Sequence, residues 1–295
     1  MIITKLMGGL GNQMFQYSFG KMLSLKRNVP LKLDLTFLND RSYKENFTYR
    51  NYALNIFNIK QSFASENELI PFLKNKNKKV VNLITLFFPF VHHHLYLKEP
   101  HFNFFPMALN ASGNTLIDGY WQSEKYFKNI SDVLRREFTL KNKISGQSSE
   151  ISIRIKNSNS VSIHFRRGDY QNNPHISKYH GVCDLDYYYR AVNLMSSKIA
   201  DPKYYIFSDE PQWAMENFKI NFPVEFVTHN SVNNNYEDML LMADCRHNII
   251  ANSSFSWWGS WLNSHKDKIV IAPSRWFNDP KKNITDLLPD TWLKI

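Results

Sequence analysis

The order of apolar and polar positions predicts an α/β region at the start of the chain. Residues 2–7 form an apolar, strand-like run that ends in glycines, and apolar residues then recur on one helical face across residues 12–26. Residues 30–35 alternate between apolar and polar, as a half-buried strand does. A strand, a glycine turn, a helix and a second strand in this order are typical of the beginning of an α/β domain.

The second half of the chain alternates more strictly between strand and helix patterns. Strands are predicted at residues 161–165, 204–207, 224–227, 248–251 and 269–271, and helices at about 186–199, 211–219, 236–244 and 255–264. Such alternation is typical of a parallel sheet covered by helices, which indicates a Rossmann-like domain.

The middle of the chain is less regular. Residues 40–115 are rich in aromatic residues, Asn and Lys without clear periodicity, and we expect loops and short helices there. A short strand is predicted at residues 116–120 and a helix at 123–138.

The polar residues 141–159 are the expected linker between two domains. This places an N-terminal α/β domain at residues 1–150 and a C-terminal Rossmann-like domain at residues 151–295. Two α/β domains joined in this way predict a cleft, which is where ligands bind in such architectures.

Composition adds a preference for anionic partners. The formal net charge is +10 at pH 7, which fits nucleic acid, a membrane surface or a phosphorylated small molecule. The densest basic run, at residues 74–79, alternates with Asn and indicates a solvated surface. Because the sequence shows no basic stripe and no nucleic-acid-binding motif, nucleic acid is not expected as a partner.

Cysteine usage and hydropathy indicate the cellular compartment of the protein. Two cysteines without a CxxC pair predict neither a disulfide framework nor a zinc site. The first residues lead directly into a strand without the pattern of a signal peptide, and the most apolar run, residues 83–91, is too short to span a bilayer. We therefore expect a cytoplasmic protein.

A glycine-rich segment, GGLGNQ at residues 8–13, follows the first predicted strand and opens a helix. Glycines such as Gly9 and Gly11 let backbone amides approach a ligand, and a helix N-terminus favours anions. The spacing is not that of a dinucleotide-binding fingerprint. A tight turn that needs a positive φ is an equally good interpretation of this segment alone.

The segment HFRRGDY carries the most specific chemistry. His164 and Arg166 lie two apart at the end of a predicted strand, so their side chains point to the same face. Adjacent arginines such as Arg166 and Arg167 are costly to bury without an anion, and arginine suits bidentate contacts with phosphate. A surface ion pair with Asp169 is the alternative interpretation.

Two further segments close strands at the same predicted sheet edge. In FSDE, Asp209 is a candidate contact for a base or ribose, while Ser208 is a candidate helix cap. In NSSFS, hydroxyls and free amides at a helix start offer a second anion cradle. Its residues are Ser253, Ser254, Phe255 and Ser256. N-capping alone is the alternative interpretation of the serines.

Taken in order, the segments GGLGNQMFQY, GYWQSEKYF, HFRRGDY, FSDE, DMLLMADC and NSSFSWWGSWL resemble the alpha-1,2-fucosyltransferases of glycosyltransferase family 11, in their bacterial form. The resemblance runs to about residue 277, whereas residues 40–115 and 171–185 carry no family signature. It implies a GT-B-like α/β fold in which two Rossmann-like domains face each other across a cleft. The N-terminal domain is then the acceptor side, and the C-terminal domain binds GDP-fucose.

The resemblance also implies a reaction. It is the inverting, metal-independent transfer of L-fucose from GDP-beta-L-fucose to the 2-hydroxyl of a terminal beta-galactoside, on an oligosaccharide or a lipid-linked glycan. No cofactor is expected, since GDP-fucose is a co-substrate, and the only DxD spelling, at residues 184–186, is interpreted as a helix start. A lipid-linked acceptor extends the expected location to the periphery of the inner membrane.

Two alternative functions stay open. One is a GDP-fucose-dependent transferase that makes another linkage, such as alpha-1,6. The other is a non-catalytic binder of polyanions, which the net charge alone suggests.

Roles for individual residues follow from the resemblance. Arg166 is implied to hold the β-phosphate of the donor, with His164 beside it, and Asn12 is implied to reach the active centre. The implied donor-binding residues are Gly9, Gly11, Gln13, Arg167, Asp209, Ser253, Ser254, Phe255 and Ser256. No residue is implied to bind a metal.

The base that deprotonates the acceptor hydroxyl is not fixed by the sequence. Asp169, Glu124 and Asp118 are candidates, and a departing phosphate oxygen is a further one. Asp169 is selected because it is nearest to the arginines in sequence, although it could instead serve to orient them.

Overall fold

The computed structural model describes residues 1–42, 48–77, 94–168, 181–231, 234–279 and 282–295. The chain divides into two compact units. The first comprises Met1–Asn142 and Asn283–Pro289, and the second comprises Lys143–Lys282 and Asp290–Ile295. The main boundary therefore lies before the predicted one at residue 150, and a short C-terminal segment returns to the first unit.

The first unit is built on a four-stranded parallel sheet. Its strands are β1 (Ile2–Lys5), β2 (Leu31–Asp34), β3 (Leu95–Lys98) and β4 (Thr115–Asp118). They lie in the order β2-β1-β4-β3, and every neighbouring pair is parallel. Because all four run the same way, their carboxyl ends meet at one edge of the sheet.

Among the described residues of this unit, the helices are α1 (Leu10–Arg27), α2 (Thr36–Asn39), α3 (Glu66–Leu73) and α4 (Ser131–Glu137). The long helix α1 packs closely on β1, since a side chain at Gly20 would collide with the Thr4 hydroxyl. The predicted strand, turn, helix and strand at the start of the chain are thereby confirmed.

Two predictions in the first unit need correction. Strand β3 lies within a region predicted as loops and short helices, because its four residues are too few to show a period. The predicted helix at residues 123–138 is replaced by two 3₁₀ turns before α4. Tyr126 and Phe127 are both buried, and consecutive positions do not share one face of an α-helix.

The second unit is built on a six-stranded parallel sheet. Its strands are β5 (Ser160–Phe165), β6 (Lys203–Ser208), β7 (Val224–Val227), β8 (His247–Ile249), β9 (Val270–Ala272) and β10 (Leu293–Lys294). Its helices are α5 (Gly146–Lys156), α6 (Leu185–Ser196), α7 (Pro211–Asn217), α8 (Tyr236–Asp244) and α9 (Ser254–Leu262). All five predicted strands and all four predicted helices of this half are confirmed, with small shifts at their ends.

The strand order of the second unit is β10-β9-β8-β5-β6-β7. Numbered within the unit, this is the 6-5-4-1-2-3 order of a Rossmann fold. After β5 the chain adds β6 and β7 on one side of that strand, and it then adds β8, β9 and β10 on the other side. The topological switch point therefore lies between β5 and β8. The predicted α/β class with a Rossmann-like C-terminal domain is confirmed, while a cleft between two domains stays a prediction.

Helix α5 corrects the predicted linker at residues 141–159. Its buried positions are Ser148, Ile151, Ser152 and Ile155, which lie on one helical face. Two of the four are serines, so the apolar stripe was obscured in the sequence. Their hydroxyls are satisfied inside the unit, with Ser148 2.7 Å from His229 Nε2 and Ser152 donating to Asp244 at 2.6 Å.

Among the helices that the structure describes, none is both long enough and apolar enough to cross a membrane. The two cysteines, Cys183 and Cys245, are not joined to each other. Cys245 is fully buried and follows α8, where it packs as a small apolar residue.

Candidate functional site

The switch point of the second unit brings two predicted segments together. Strand β5 ends at Phe165 and leads into Arg166, while β8 leads into the NSSFS segment at the start of α9. The rings of His164 and Phe255, one from each segment, are 5.7 Å apart between centroids. In open α/β sheets, ligands bind outside the carboxyl ends of the strands at this point. The geometry thus makes this edge the candidate site.

The two arginines are anchored by carboxylates from the loop after β6. Arg166 Nη1 lies 3.1 Å from Asp209 Oδ2, and Arg167 Nε lies 3.2 Å from Glu210 Oε2. The Arg167 guanidinium also lies over the Trp213 ring, 3.4 Å from its centroid. Held in this way, both guanidinium groups are ordered without a ligand, which lowers the entropy cost of binding an anion.

Asp209 has partners inside the unit that the sequence did not reveal. It was expected to contact the nucleoside, whereas its two oxygens are used within the unit: Oδ2 pairs with Arg166, and Oδ1 accepts the backbone N–H of Arg167 at 2.9 Å. A side chain at Gly168 would lie 2.8 Å from Asp209 Oδ2, so the arginine loop packs directly on this carboxylate. Asp209 therefore orients the arginines, and a contact with the nucleoside stays a prediction.

His164 is a neutral, buried side chain at this edge. It is 4% exposed, and its Nδ1 has no hydrogen-bond partner among the described residues. Burial, with a smaller contribution from the Arg166 charge, lowers the pKa of His164 from 6.5 to about 3. A neutral imidazole offers one donor and one acceptor, so His164 can bind polar groups but adds no positive charge.

This lowered pKa predicts a pH dependence of stability. Between pH 6.5 and about 3 the unfolded chain binds a proton at His164 that the folded chain excludes, so the free energy of unfolding should fall as the pH is lowered through this range. Urea unfolding of the wild type and of His164→Asn, at pH of about 7 and about 5, measures this contribution. The variant should lose less stability over this interval. An equal loss in both proteins would show that His164 does not exclude the proton.

The serines of the NSSFS segment are mainly structural. Ser253 is the N-cap of α9 and accepts the Phe255 N–H at 3.3 Å, so the capping interpretation is confirmed for it. Ser256 was predicted to contact the pyrophosphate. Its side chain is instead fully buried, and its hydroxyl donates to the Ser253 carbonyl at 3.4 Å. Ser254 and the first-turn amides of α9 are the groups at this helix start that suit an anion.

The glycine segment of the first unit contains the predicted tight turn. Gly8 has φ +73°, and a side chain there would collide with the Asn12 amide. Gly9 is the N-cap of α1, and the space where its side chain would lie is open. Gly11 is buried in the first turn of α1. The positive-φ interpretation is thus confirmed at Gly8, while donor binding by Gly9 and Gly11 stays a prediction.

Gln13 was predicted to bind the donor, but its side chain is fully buried and used within the first unit. Its Nε2 donates to the carbonyls of Gly8 at 2.9 Å and Asn51 at 2.8 Å, and its Oε1 accepts the Ala53 N–H at 2.9 Å. Both amide hydrogens are therefore occupied. Gln13 shapes the glycine turn and holds residues 51–53 against it.

The candidate bases fall in different surroundings. Asp118 ends β4, where it pairs with Lys5 at 3.4 Å and accepts the Tyr96 hydroxyl. Glu124 lies in a 3₁₀ turn after β4. Asp169, the selected candidate, lies outside the described residues, so its role stays a prediction.

A functional candidate that the sequence did not reveal is Glu99. It follows the short strand β3, and its carboxylate accepts the N–H groups of Tyr120 at 2.7 Å and Trp121 at 2.9 Å. Burial raises the pKa of Glu99 to about 7, although the two N–H hydrogen bonds that it accepts act to lower this pKa. Only its place at a strand end could have marked it, and that strand was itself missed.

No metal centre is seen in the part of the chain that the structure describes, where no three His, Cys, Asp or Glu side chains form a group that could hold an ion. Asp184 caps α6 by accepting the Tyr187 N–H at 2.8 Å, and Asp186 pairs with Arg190 at 2.9 Å. The interpretation of this DxD spelling as a helix start is confirmed. Metal independence of the reaction stays a prediction.

Comparison with known proteins identifies relatives over the whole chain. The family model described as Glycosyl transferase family 11 matches residues 1–295. An alpha-1,2-colitosyltransferase of Escherichia coli is 35% identical over 100% of this chain and 99% of its own length. The O-antigen biosynthesis glycosyltransferase WbnK of Escherichia coli is 34% identical over 98% of this chain and 99% of its own length. Galactoside alpha-(1,2)-fucosyltransferase 1 of Rattus norvegicus is 26% identical over 53% of this chain and 43% of its own length.

Proposed function

Because this chain belongs to glycosyltransferase family 11, we propose that it transfers L-fucose from GDP-beta-L-fucose to the 2-hydroxyl of a terminal beta-galactoside. The observation that carries the proposal is the pair of anchored arginines at the switch point of the Rossmann-like unit. An edge of this kind suits the diphosphate of a nucleotide. In the proposed reaction that nucleotide is GDP, the leaving group.

The chemistry assigns roles to this edge. The acceptor oxygen attacks C1 of the fucosyl group, the C1–O bond to the β-phosphate breaks, and the electron pair leaves with GDP. The acceptor hydroxyl loses its proton to a base, for which Asp169, Glu124, Asp118 and the departing phosphate oxygen are the candidates. Negative charge therefore grows on the phosphate oxygen in the transition state. In this proposal Arg166, which lies 3.1 Å from Asp209, donates hydrogen bonds to that phosphate.

Arg167 and the start of α9 complete the phosphate site in this proposal. Arg167 supplies a second positive charge, and its guanidinium is held by Glu210 and the Trp213 ring. The first-turn amides of α9, including that of Ser254, face the same sheet edge. Fixed donors of this type stabilise a leaving diphosphate without a metal ion.

A second candidate function differs in the sugar that is transferred. Colitose is L-fucose without its 3-hydroxyl, and the Escherichia coli relative named for colitosyl transfer matches the full length of this chain. The relative named for fucosyl transfer matches only part of it. Transfer of colitose to the same 2-hydroxyl is therefore the alternative that a specific observation favours.

A transfer assay tests both functions. The purified protein is incubated with lactose and either GDP-fucose or GDP-colitose, in the presence of EDTA. We expect GDP release and 2′-fucosyllactose, with the alpha-1,2 linkage established by NMR. Turnover of GDP-colitose alone would replace the donor, and an alpha-1,6 product would replace the linkage. Activity that EDTA abolishes and Mg²⁺ restores would overturn metal independence.

The acceptor and the location remain part of the proposal. Free oligosaccharides and lipid-linked glycans that end in beta-galactose are the proposed acceptors, with a cytoplasmic protein that contacts the periphery of the inner membrane. A panel of beta-galactosides, tested free and in lipid vesicles, separates these acceptors. Equal rates on both forms would argue against any contribution of a membrane surface. If the protein instead bound nucleic acid tightly and GDP not at all, a polyanion binder would replace the enzyme.

A further inference from the structure

A chain of contacts in the first unit ends on the side chain of Asn12. Gln122, in the loop after β4, donates from Nε2 to Asn12 Oδ1 at 2.8 Å. This bond fixes which way the Asn12 amide faces, because its oxygen is turned toward Gln122 and its NH₂ group away. The same NH₂ group lies against the glycine turn, where a side chain at Gly8 would collide with it.

The loop that carries Gln122 has an unusual backbone. Trp121 has φ +55°, a left-handed conformation that a bulky residue adopts only when its surroundings enforce it. Two features enforce it here. The Trp121 ring is fully buried against Phe19 and Tyr126, and Glu99 accepts the N–H groups of Tyr120 and Trp121, one on each carboxylate oxygen.

Glu99 is fitted closely to this loop. A side chain at Gly119 would collide with the Glu99 Cβ, so a glycine is required where the loop leaves β4. The titratable groups that act on Glu99 are Asp118 and Tyr126. Keeping a carboxylate half-buried beside Asp118 is unfavourable, so the fold maintains Glu99 against an electrostatic cost.

We propose that Glu99 and Gln122 are positioning residues for Asn12: Glu99 fixes the backbone of residues 120–121, and Gln122 then fixes the orientation of the Asn12 side-chain amide. The inference rests on the proposed function, in which Asn12 reaches the active centre. It adds how Asn12 is held there and assigns roles to two residues that do not themselves touch substrate.

Kinetics of single and double variants test the proposal. Gln122→Ala should lower kcat by about 10- to 100-fold, as expected for a misplaced catalytic group, while KM for the donor and the Kd for GDP change by about twofold or less. Asn12→Ala should lower kcat at least as much, and the double variant should be no slower than Asn12→Ala alone. Gln147→Ala, an exposed glutamine of α5, is the matched control and should leave kcat unchanged.

Variants that change the charge or length of the Glu99 side chain test its positioning role. Glu99→Gln can accept only one of the two N–H bonds, so kcat should fall as it does for Gln122→Ala, while Glu99→Asp should retain part of the rate. Wild-type kcat should decline as the pH is lowered through about 7, where Glu99 gains a proton, and Glu99→Gln should lack this step. Glu150→Gln, which alters an exposed carboxylate of α5, should behave as wild type.

Three results would overturn the inference. One is additive losses in the double variant, because Gln122 and Asn12 would then act independently. Another is a step in kcat near pH 7 that persists unchanged in Glu99→Gln, since that titration would then belong to another group. The third is an unchanged NMR signal of the Asn12 side-chain NH₂ in Gln122→Ala. This last measurement needs no turnover, so it tests the inference even if the wild type transfers neither sugar and the proposed function fails.

Discussion

Replacing Arg166 with alanine is expected to lower kcat/KM for the donor by about a hundredfold or more, equivalent to ~3 kcal/mol of transition-state stabilisation. The reason is the growth of charge on the leaving phosphate, which the Arg166 guanidinium stabilises in the proposed function. It is 23% exposed and is held 3.1 Å from Asp209, so little reorganisation is needed when the charge forms. Steady-state kinetics with GDP-fucose and lactose measure the loss.

Two further variants make this test specific. Arg166→Lys keeps the charge but loses the planar fork, so its kcat/KM should fall between those of the wild type and Arg166→Ala. Arg154→Ala is the matched control. Arg154 lies on α5, away from the switch point, and pairs with Glu225 at 2.7 Å. Near-normal kcat/KM in Arg166→Ala would remove this residue from the phosphate site. A comparable loss in Arg154→Ala would show that general positive charge is what matters.

The largest expected effect on stability comes from the tryptophan cluster under the start of α9. Trp257 is fully buried, with Trp258, Trp261 and Trp292 at centroid distances of 5.0, 6.3 and 5.5 Å. Trp257→Ala removes the centre of this cluster and should lower the free energy of unfolding by about 3–5 kcal/mol. Urea unfolding followed by far-UV circular dichroism measures this, since fluorescence would change with the loss of the indole itself.

A more conservative substitution of Trp257 tests how much of this stability loss depends on an aromatic ring at the position. Trp257→Phe keeps an aromatic ring and should cost clearly less than the alanine variant. If Trp257→Ala lost less than about 1 kcal/mol, the neighbouring rings would have collapsed into the cavity and the cluster would not be rigid.

Much of the second unit could be predicted from the sequence because its strands and helices are long enough to show their periods. The arginines and the NSSFS segment were expected at one sheet edge, and the strand order then placed them on the two sides of the switch point. Helix α5 was missed because two of its four buried positions are serines. A buried serine is satisfied by a partner distant in sequence, and no local pattern reveals that partner.

The same reason explains why the sequence did not reveal the internal partners of two predicted site residues. Gln13 is predicted to bind the donor, and its side chain bonds to the Asn51 carbonyl and the Ala53 N–H. Asp209 is predicted to contact the nucleoside, and its carboxylate pairs with Arg166, which follows the neighbouring strand. The sequence correctly indicates that each side chain makes specific hydrogen bonds or ion pairs. Which partner each side chain uses depends on contacts that no local sequence pattern specifies.

The path of the last residues limits how this protein can be recombined with its relatives. The chain leaves the second unit at Lys282, contributes Asn283–Pro289 to the first, and returns to the second at Asp290. The excursion is held by Asp286, which pairs with Lys125 at 2.6 Å and accepts the Phe104 N–H at 3.0 Å, and the returning chain adds β10 beside β9. A single crossover at residue 142 would therefore combine a first unit from one parent with its C-terminal segment from another. A chimera that exchanges the second unit intact needs three junctions, chosen so that Asp286 and Lys125 come from the same parent.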